Sequence, residues 1–295
     1  MADFGIATGC THYTIQPTEL GRWAEAHGFE SLWFAEHTHI PISSKPPGVV
    51  AGGELPQYYK EPFDPFVGLT VAAAATTKLK LGTSICLVPE HHPINLAKTI
   101  ATLDRVSNGR FVFGIGAGWN ADEMANHGIE FKSRFQVMRE HVLAMKQIWT
   151  KEVAEYHGKF VDFDPIWCWP KPVQADGPPI LMGAWSKAVP KRIAEYCNGW
   201  LPIDAAYAGG GACPDLAGAM DAIRSELSQS ERSQETLDFS VITAEELSPV
   251  GGLEARIGEL LKLGFNRVVF LVMPGASDQQ LRLLERYSAL IRKFA

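Results

Sequence analysis

The sequence predicts an α/β chain closed into an eight-stranded parallel barrel, and three observations carry that prediction. Short β-branched or aromatic runs alternate with longer helical patterns over 295 residues, the rhythm of a parallel sheet covered by helices. The alternation repeats eight times, and barrels of this kind commonly form one unit in chains past 250 residues. Glycines that stop helices lead directly into apolar strands in the stretches 27–34 (HGFESLWF) and 263–270 (LGFNRVVF). One strand fewer would leave a doubly wound open sheet instead.

In chain order, strand Phe4–Thr8 precedes helix Thr18–His27, and strand Ser31–Ala35 precedes helix Pro65–Thr76. Strand Leu79–Ser84 leads to helix Ile94–Ser107, and Arg110–Ile115 leads to Arg134–Thr150. That fourth helix is the clearest, because Met138, Val142, Met145 and Ile148 with Trp149 form one apolar stripe at helical spacing. Pro179–Gly183 is followed by Ser186–Tyr196, and Gly199–Ile203 by Pro214–Gln229. Leu237–Thr243 with Gly252–Leu263, and Arg267–Val272 with Ser277–Lys293, complete the series. The result is a (β/α)8 TIM barrel read as a single domain over residues 1–295, with insertions after strand 2 and before strand 5. The insertions are Thr38–Asp64 and Glu152–Pro178, of a length typical of lids and binding loops. Thr38–Asp64 carries Pro46-Pro47-Gly48, Gly52-Gly53, Tyr58 and Tyr59, and follows a strand, which places it on the catalytic face.

Composition excludes several classes of function. Hydrophobic residues make up 46% and charged residues 20%, an ordinary globular balance. The net charge is −6 and no basic block occurs, so nucleic acid is not an expected partner. The opening residues lack a basic segment followed by a long apolar stretch, and the apolar window Val67–Ala75 is too short to span a bilayer. Cys10, Cys86, Cys168, Cys197 and Cys213 are scattered and never spaced Cys-x-x-Cys. Reduced thiols in a cytoplasmic protein suit this pattern better than disulfides or a structural zinc site.

Three segments carry candidate chemistry. Gly114-Ile115-Gly116-Ala117-Gly118-Trp119 ends the fourth strand, where glycines let a flat ligand approach the backbone. Trp119 occupies the last position of a Gly-x-Gly-x-x-Gly count from Gly114, so a nicotinamide fingerprint is not met. Glu36, His37 and His39 end the second strand, where a histidine serves as acid, base or hydrogen-bond partner. His37-x-His39 also suggests a metal-dependent barrel hydrolase, but no histidine follows His157, so strands five to eight offer no imidazole ligand and no metal is expected. His91, His92, His127, His141 and His157 read as loop or helix-surface residues. Ser186 is placed to cap a helix whose free amides, from Ala184 to Lys187, suit a phosphate.

Together these segments resemble the luciferase-like family of flavin- and deazaflavin-dependent oxidoreductases. The resemblance runs through the stretches 28–41 (GFESLWFAEHTHIP), 79–119 (LKLGTSICLVPEHHPINLAKTIATLDRVSNGRFVFGIGAGW), 156–163 (YHGKFVDF), 170–183 (PKPVQADGPPILMG) and 197–203 (CNGWLPI). The step Glu36-His37-x-x-x-Pro41 and Trp119 after the glycines are most like the subgroup assigned to coenzyme F-420, a 5-deazaflavin. The chain departs from that pattern in having Glu36 where Asp is usual, Trp119 where an acidic residue often stands, and Cys197-Asn198-Gly199-Trp200 in place of Gly-Asp-Gly-Trp.

The resemblance implies that Glu36 and His37 line the edge of an isoalloxazine-like ring and carry the catalysis. It implies that Thr83, Ser84 and Ile85 back the ring, with a non-prolyl cis peptide most expected at Ser84–Ile85. Gly116, Gly118 and Trp119 are then beside the ring, and Gly183, Ala184, Trp185 and Ser186 hold the phosphate. A homodimer through helices Pro65–Thr76 and Ile94–Ser107 is implied as well. The leading expectation is hydride transfer between F-420 and a small organic substrate. The alternatives are an FMN-dependent monooxygenase using reduced flavin and oxygen, with or without a separate cofactor reductase, and a non-catalytic flavin-binding barrel.

Overall fold

A computed structural model describes residues 2–43, 55–204, 213–230, 237–245 and 252–294. Pro46-Pro47-Gly48 and Gly52-Gly53 of the expected lid lie outside the described residues. In chain order the elements are β1 (Asp3–Thr8), α1 (Pro17–Ala26), β2 (Ser31–Phe34), α2 (Pro65–Ala75), β3 (Lys80–Thr83), β4 (Cys86–Leu87) and α3 (Pro93–Val106). Next come β5 (Phe111–Gly116), α4 (Ala121–Asn126), α5 (Arg134–Thr150), β6 (Ala154–His157), β7 (Asp162–Ile166), β8 (Ile180–Gly183) and α6 (Val189–Tyr196). The described elements end with β9 (Gly199–Leu201), α7 (Leu216–Ser228), β10 (Asp238–Thr243), α8 (Gly252–Leu263), β11 (Arg267–Leu271) and α9 (Ser277–Ile291).

The sheet closes. Parallel pairing runs β3-β2-β1-β11-β10-β9-β8-β5, and β3 pairs with β5 through Leu81 opposite Phe111 and Gly82 opposite Val112. Every expected strand is present, and the closing pair rules out the open sheet. The short β4 continues the third strand beyond a cis Ser84–Ile85 peptide and pairs with Ile115 and Gly116 of β5.

Side-chain alternation divides the core in two. Ala7, Trp33, Val112, Leu181, Leu201, Ile242 and Val269, each from a different strand, pack together inside the barrel. A glycine on β3 makes room for the largest of them: a Cβ on Gly82 would lie 2.1 Å from Trp33 Cε3. The residues of opposite direction, among them Phe4, Phe34, Phe111, Phe113 and Phe270, pack outward against the helices. At the amino-terminal edge of the strands, Arg267 is only 2% exposed. It donates to both Glu30 oxygens at 2.9 and 3.0 Å, to Asp238 at 2.5 Å and to Ser240 at 2.7 Å.

Several local expectations shift. The helix expected from Ser186 begins at Val189, with Ala188 in the capping position and no side-chain cap, so Ser186 belongs to the turn before it. The segment 152–178 contains the antiparallel β6–β7 hairpin and a cis Trp169–Pro170 peptide. It is not a lid: buried Asp104 accepts from the Val173 and Gln174 amides at 2.7 and 3.1 Å and from Gln174 Nε2 at 2.7 Å, strapping the segment to α3. Helix α4 was not anticipated; six residues are too few to show a helical period. His141 is buried on α5, not on a helix surface, and burial lowers its pKa to about 4 while its Nδ1 faces the Val88 carbonyl at 3.2 Å. All five cysteines are buried free thiols. Among the described residues, no helix is long and apolar enough to cross a membrane.

The Arg267 cluster gives a stability prediction. Arg267→Ala should lower the unfolding free energy by about 3 kcal/mol, because Glu30 and Asp238 lose their shared cation in a half-buried setting. Urea denaturation should show this as a lowered midpoint with an unchanged slope.

Candidate active site

At the carboxyl ends of the strands, side chains of the interior layer give way to a cavity of about 670 Å³. Barrel geometry dictates this position, since the loops that follow the strands all converge there. Eleven of the expected site residues line it: Glu36, His37, Ser84, Ile85, Gly116, Gly118, Trp119, Gly183, Ala184, Trp185 and Ser186. Thr83 does not. Its side chain is fully buried and its hydroxyl donates to the Gly114 carbonyl at 2.7 Å, stitching β3 to β5 behind the cavity wall. Tyr58 and Tyr59, at the described end of the second-strand insertion, also reach the cavity, where the Tyr59 ring lies 5.5 Å from that of His37.

The glycines that end β5 and β8 are required by close packing. A Cβ on Gly116 would meet Ile85 Cδ1 at 1.8 Å, and one on Gly183 would meet Ile85 Cγ2 at 2.6 Å. Ile85 therefore projects between β5 and β8 into the floor of the cavity, against which a flat ring can rest. Gly118 adopts φ +75° and turns the chain toward Trp119, whose ring meets His37 edge-on at 5.5 Å.

The edge of the cavity beside β2 holds buried acids paired with histidines. His37 Nδ1 lies 2.8 Å from Glu123 Oε2, and Glu123 Oε1 accepts from the Thr38 amide at 3.0 Å. Glu123 is fully buried and comes from α4, whose start is capped by the Asn120 side chain accepting from the amides of Asp122 and Glu123. The stretch Asn120-x-Asp122-Glu123, a cap residue followed by acids, was the one available sequence signal for this helix. Glu36 accepts from the Leu87 amide at 2.6 Å and pairs with His91 Nε2 at 2.8 Å. Burial alone would lower the His91 pKa, but the hydrogen bond and charge of Glu36 outweigh it and the pKa is raised. His91 lies in a loop, as expected, and is also a partner of the site. His39 diverges from His37, with Nε2 on Asn126 and Nδ1 on Thr38, so the two do not converge as a ligand pair.

Glu90, in the turn before α3, is the third acid of this group. Its side chain is 1% exposed, and neither carboxyl oxygen has a hydrogen-bond donor. Burial, followed by the charges of Glu123 and Glu36, raises its pKa to about 9, so it is a neutral acid at pH 7.

The opposite side of the cavity is basic. Arg134 stacks over Phe131 at 3.7 Å and Phe135 at 4.5 Å, and Arg192 stacks over the same Phe135 at 3.9 Å. Buried Arg134 Nε and Arg192 Nη1 have no hydrogen-bond partner. Among the described residues neither guanidinium has a carboxylate partner in an ion pair, and burial and the charge of Arg192 lower the Arg134 pKa. Both line the cavity together with Ser186, whose hydroxyl is 3.4 Å from the Ala188 amide. Sequence reading did not find this pair, because the two residues are 58 positions apart (192 − 134) and only the packing of α5 against α6 joins them.

The Glu90 environment predicts a pH-dependent stability difference. Its folded pKa of about 9 exceeds the unfolded value near 4.3, so wild type must bind a proton on folding and loses stability as pH rises between these values. Glu90→Gln needs no proton. The variant should match wild type near pH 4 and exceed it by about 3 kcal/mol at pH 7, measured by denaturant unfolding at several pH values.

Comparison with known proteins agrees with the barrel. The model of the luciferase-like monooxygenase family matches residues 15–244. An uncharacterized Mycobacterium tuberculosis protein is 41% identical over 200 residues, which cover 67% of this chain and 71% of that one. The oxygenase component of flavin-dependent trigonelline monooxygenase from Acinetobacter baylyi is 30% identical over 168 residues, 56% of this chain and 42% of that protein. F-420-dependent glucose-6-phosphate dehydrogenase from Nakamurella multipartita is 30% identical over 188 residues, 62% of this chain and 50% of that protein. The crystal structure of the monooxygenase RslO1 from Streptomyces bottropensis superposes with a TM-score of 0.74 at 18% identity, covering 99% of this chain and 100% of that one. The chain belongs to the luciferase-like monooxygenase family, and the relatives of named activity are oxidoreductases.

Proposed function

We propose that the protein transfers a hydride between coenzyme F-420 and a small organic substrate bound in the cavity beside Tyr58 and Tyr59. The observation that carries this reading is His37 at the wall of the cavity, hydrogen-bonded to buried Glu123 behind it and held ready to take or give a proton. Hydride transfer to or from a carbonyl or alcohol moves a proton as well, and an imidazole is the side chain suited to pass one in either direction at neutral pH. The relatives named for F-420 and for flavin both support a cofactor of the isoalloxazine or deazaflavin type.

The residues present fit such a group. An anionic tail answers the uncompensated Arg134 and Arg192 guanidiniums, with Ser186 and the turn at Ala184 beside them. Ile85 and the glycines Gly116 and Gly183 offer a flat floor for a ring. When bound, the deazaflavin is a two-electron hydride carrier that reacts slowly with oxygen. The protein orients the substrate, excludes water with Trp119, Tyr58 and Tyr59, and places His37 Nε2 as the proton donor or acceptor. Glu36, held by the Leu87 amide and His91, fixes the end of β2 from which His37 projects. One catalytic domain, a cytoplasmic location and a homodimer through α2 and α3 belong to the same proposal, the last supported by exposed Val67 and Val71 on α2.

Anaerobic titration of the purified protein with F-420 and with FMN, followed by fluorescence, tests the choice of cofactor. Tighter binding of F-420 is expected. Binding of FMN alone, with oxygen consumed in the presence of substrate, would make the protein a flavin monooxygenase. Ser186→Ala should weaken cofactor affinity by about 1–2 kcal/mol. It should leave stability within about 0.5 kcal/mol of wild type, because Ser186 does not cap α6.

His37→Ala should slow single-turnover hydride transfer by about a hundredfold, in the range of a lost acid–base group. Cofactor affinity should change much less. A variant that loses cofactor yet turns over normally at saturation would make His37 a binding residue.

A further inference from the structure

His37 is connected to the outside of the barrel by a continuous chain of hydrogen bonds that does not pass through the cavity. His37 Nδ1 meets Glu123 Oε2 at 2.8 Å, and Thr38 Oγ1 reaches Glu123 Oε1 at 3.5 Å. Thr38 Oγ1 then meets His127 Nε2 at 2.8 Å. Thr38 and His127 are exposed, the His127 side chain by 28%, and neither they nor Glu123 line the cavity. The His37 side chain, by contrast, is 12% exposed and opens on the cavity.

The charges around this chain suit proton movement. Glu90 faces both Glu123 and His127, the latter at 3.7 Å, and is the neutral acid described above. Burial and the neighbouring His39 lower the His127 pKa, which leaves its ring neutral at pH 7 and able to accept. Glu36 and His91 complete the set of ionisable groups acting on Glu90 and His127. Glu123 is thus a carboxylate between two imidazoles, joined to one directly and to the other through a hydroxyl.

We propose that His37, Glu123, Thr38 and His127 form a proton relay between the reacting substrate and solvent, open while cofactor and substrate fill the cavity. This rests on the proposed role of His37. In substrate oxidation the hydride passes to the deazaflavin or flavin as two-electron acceptor, and the hydroxyl proton passes to His37 Nε2. The Nδ1 proton moves to Glu123 Oε2; the protonated carboxyl turns and protonates Thr38 Oγ1, whose own proton, directed at Glu123 Oε1 at rest, passes to His127 Nε2. His127 releases one from Nδ1 to water, and both imidazoles return to their starting tautomers. Substrate reduction runs the same transfers inward. Glu123, Thr38 and His127 act through His37, and so are positioning and conducting residues rather than catalytic ones.

Protein carrying 15N-labelled histidine, its cavity filled by whichever of F-420 and FMN it binds, tests the relay without any turnover. Exchange of the His37 Nδ1 proton with water should slow at least about tenfold in His127→Ala and in Thr38→Val, with Thr38→Ser near wild type. In the loaded enzyme, His127→Ala should turn over at least about tenfold more slowly in dilute buffer and recover on addition of imidazole, as a shuttle lost to solution base does. Wild-type exchange in both His127→Ala and Thr38→Val, or an activity loss that is the same at every imidazole concentration, would overturn the relay. Absence of hydride transfer in wild type with either cofactor would defeat the proposed function, and the exchange measurement would still decide the relay.

Discussion

The arrangement of the site follows from the burial of three carboxylates, Glu36, Glu90 and Glu123, along one edge of the barrel mouth. Leaving charge in a low-dielectric setting is costly unless it is paired, hydrogen-bonded or neutralised, and each acid meets the demand differently. Glu36 takes a backbone amide and His91, Glu123 takes the Thr38 amide and His37, and Glu90 keeps its proton. These three solutions bind together the end of β2, the turn before α3 and the short α4. His37 is oriented as a result, because its Nδ1 is committed to Glu123 and Nε2 is left for the cavity.

Across the cavity the polarity reverses. Two guanidiniums share the Phe135 ring and have no carboxylate among the described residues to balance them. Stacking on aromatic faces holds such cations in place at modest cost and leaves Arg134 Nε and Arg192 Nη1 without a partner. A ligand that is flat and hydrogen-bonding at one end and anionic at the other matches this division. Ile85 forms an apolar floor, and the glycines of β5 and β8 permit its approach.

The opposite end of the barrel serves stability. Arg267 gathers Glu30, Asp238 and Ser240 beneath the interior layer, while Asp104 secures the segment 152–178 to α3. In a parallel barrel the loops before the strands carry no share of the ligand site, so they are free to be tied down. The long insertion before β8 illustrates this: its length suggested a lid, but its position before a strand put it away from the cavity.

The number of strands and their order of appearance were legible in the sequence because each buried strand is a short apolar run closed by a helix stop, as in the stretches 27–34 and 263–270. The residues at strand ends were legible for the same reason, and eleven of the twelve expected at the site reach the cavity. Thr83 is the exception, since the side chains of a strand alternate in direction and a one-residue uncertainty in register reverses the face. Long-range partnerships left no local trace: Glu123 lies 86 residues from His37, and Arg134 meets Arg192 only through the packing of α5 on α6. Periodicity and turn chemistry are properties of neighbours in sequence, and they determined the architecture. Which acid faces which imidazole, which carboxyl keeps its proton and which cations remain unpaired depend on burial and distance, and those exist only once the barrel has closed.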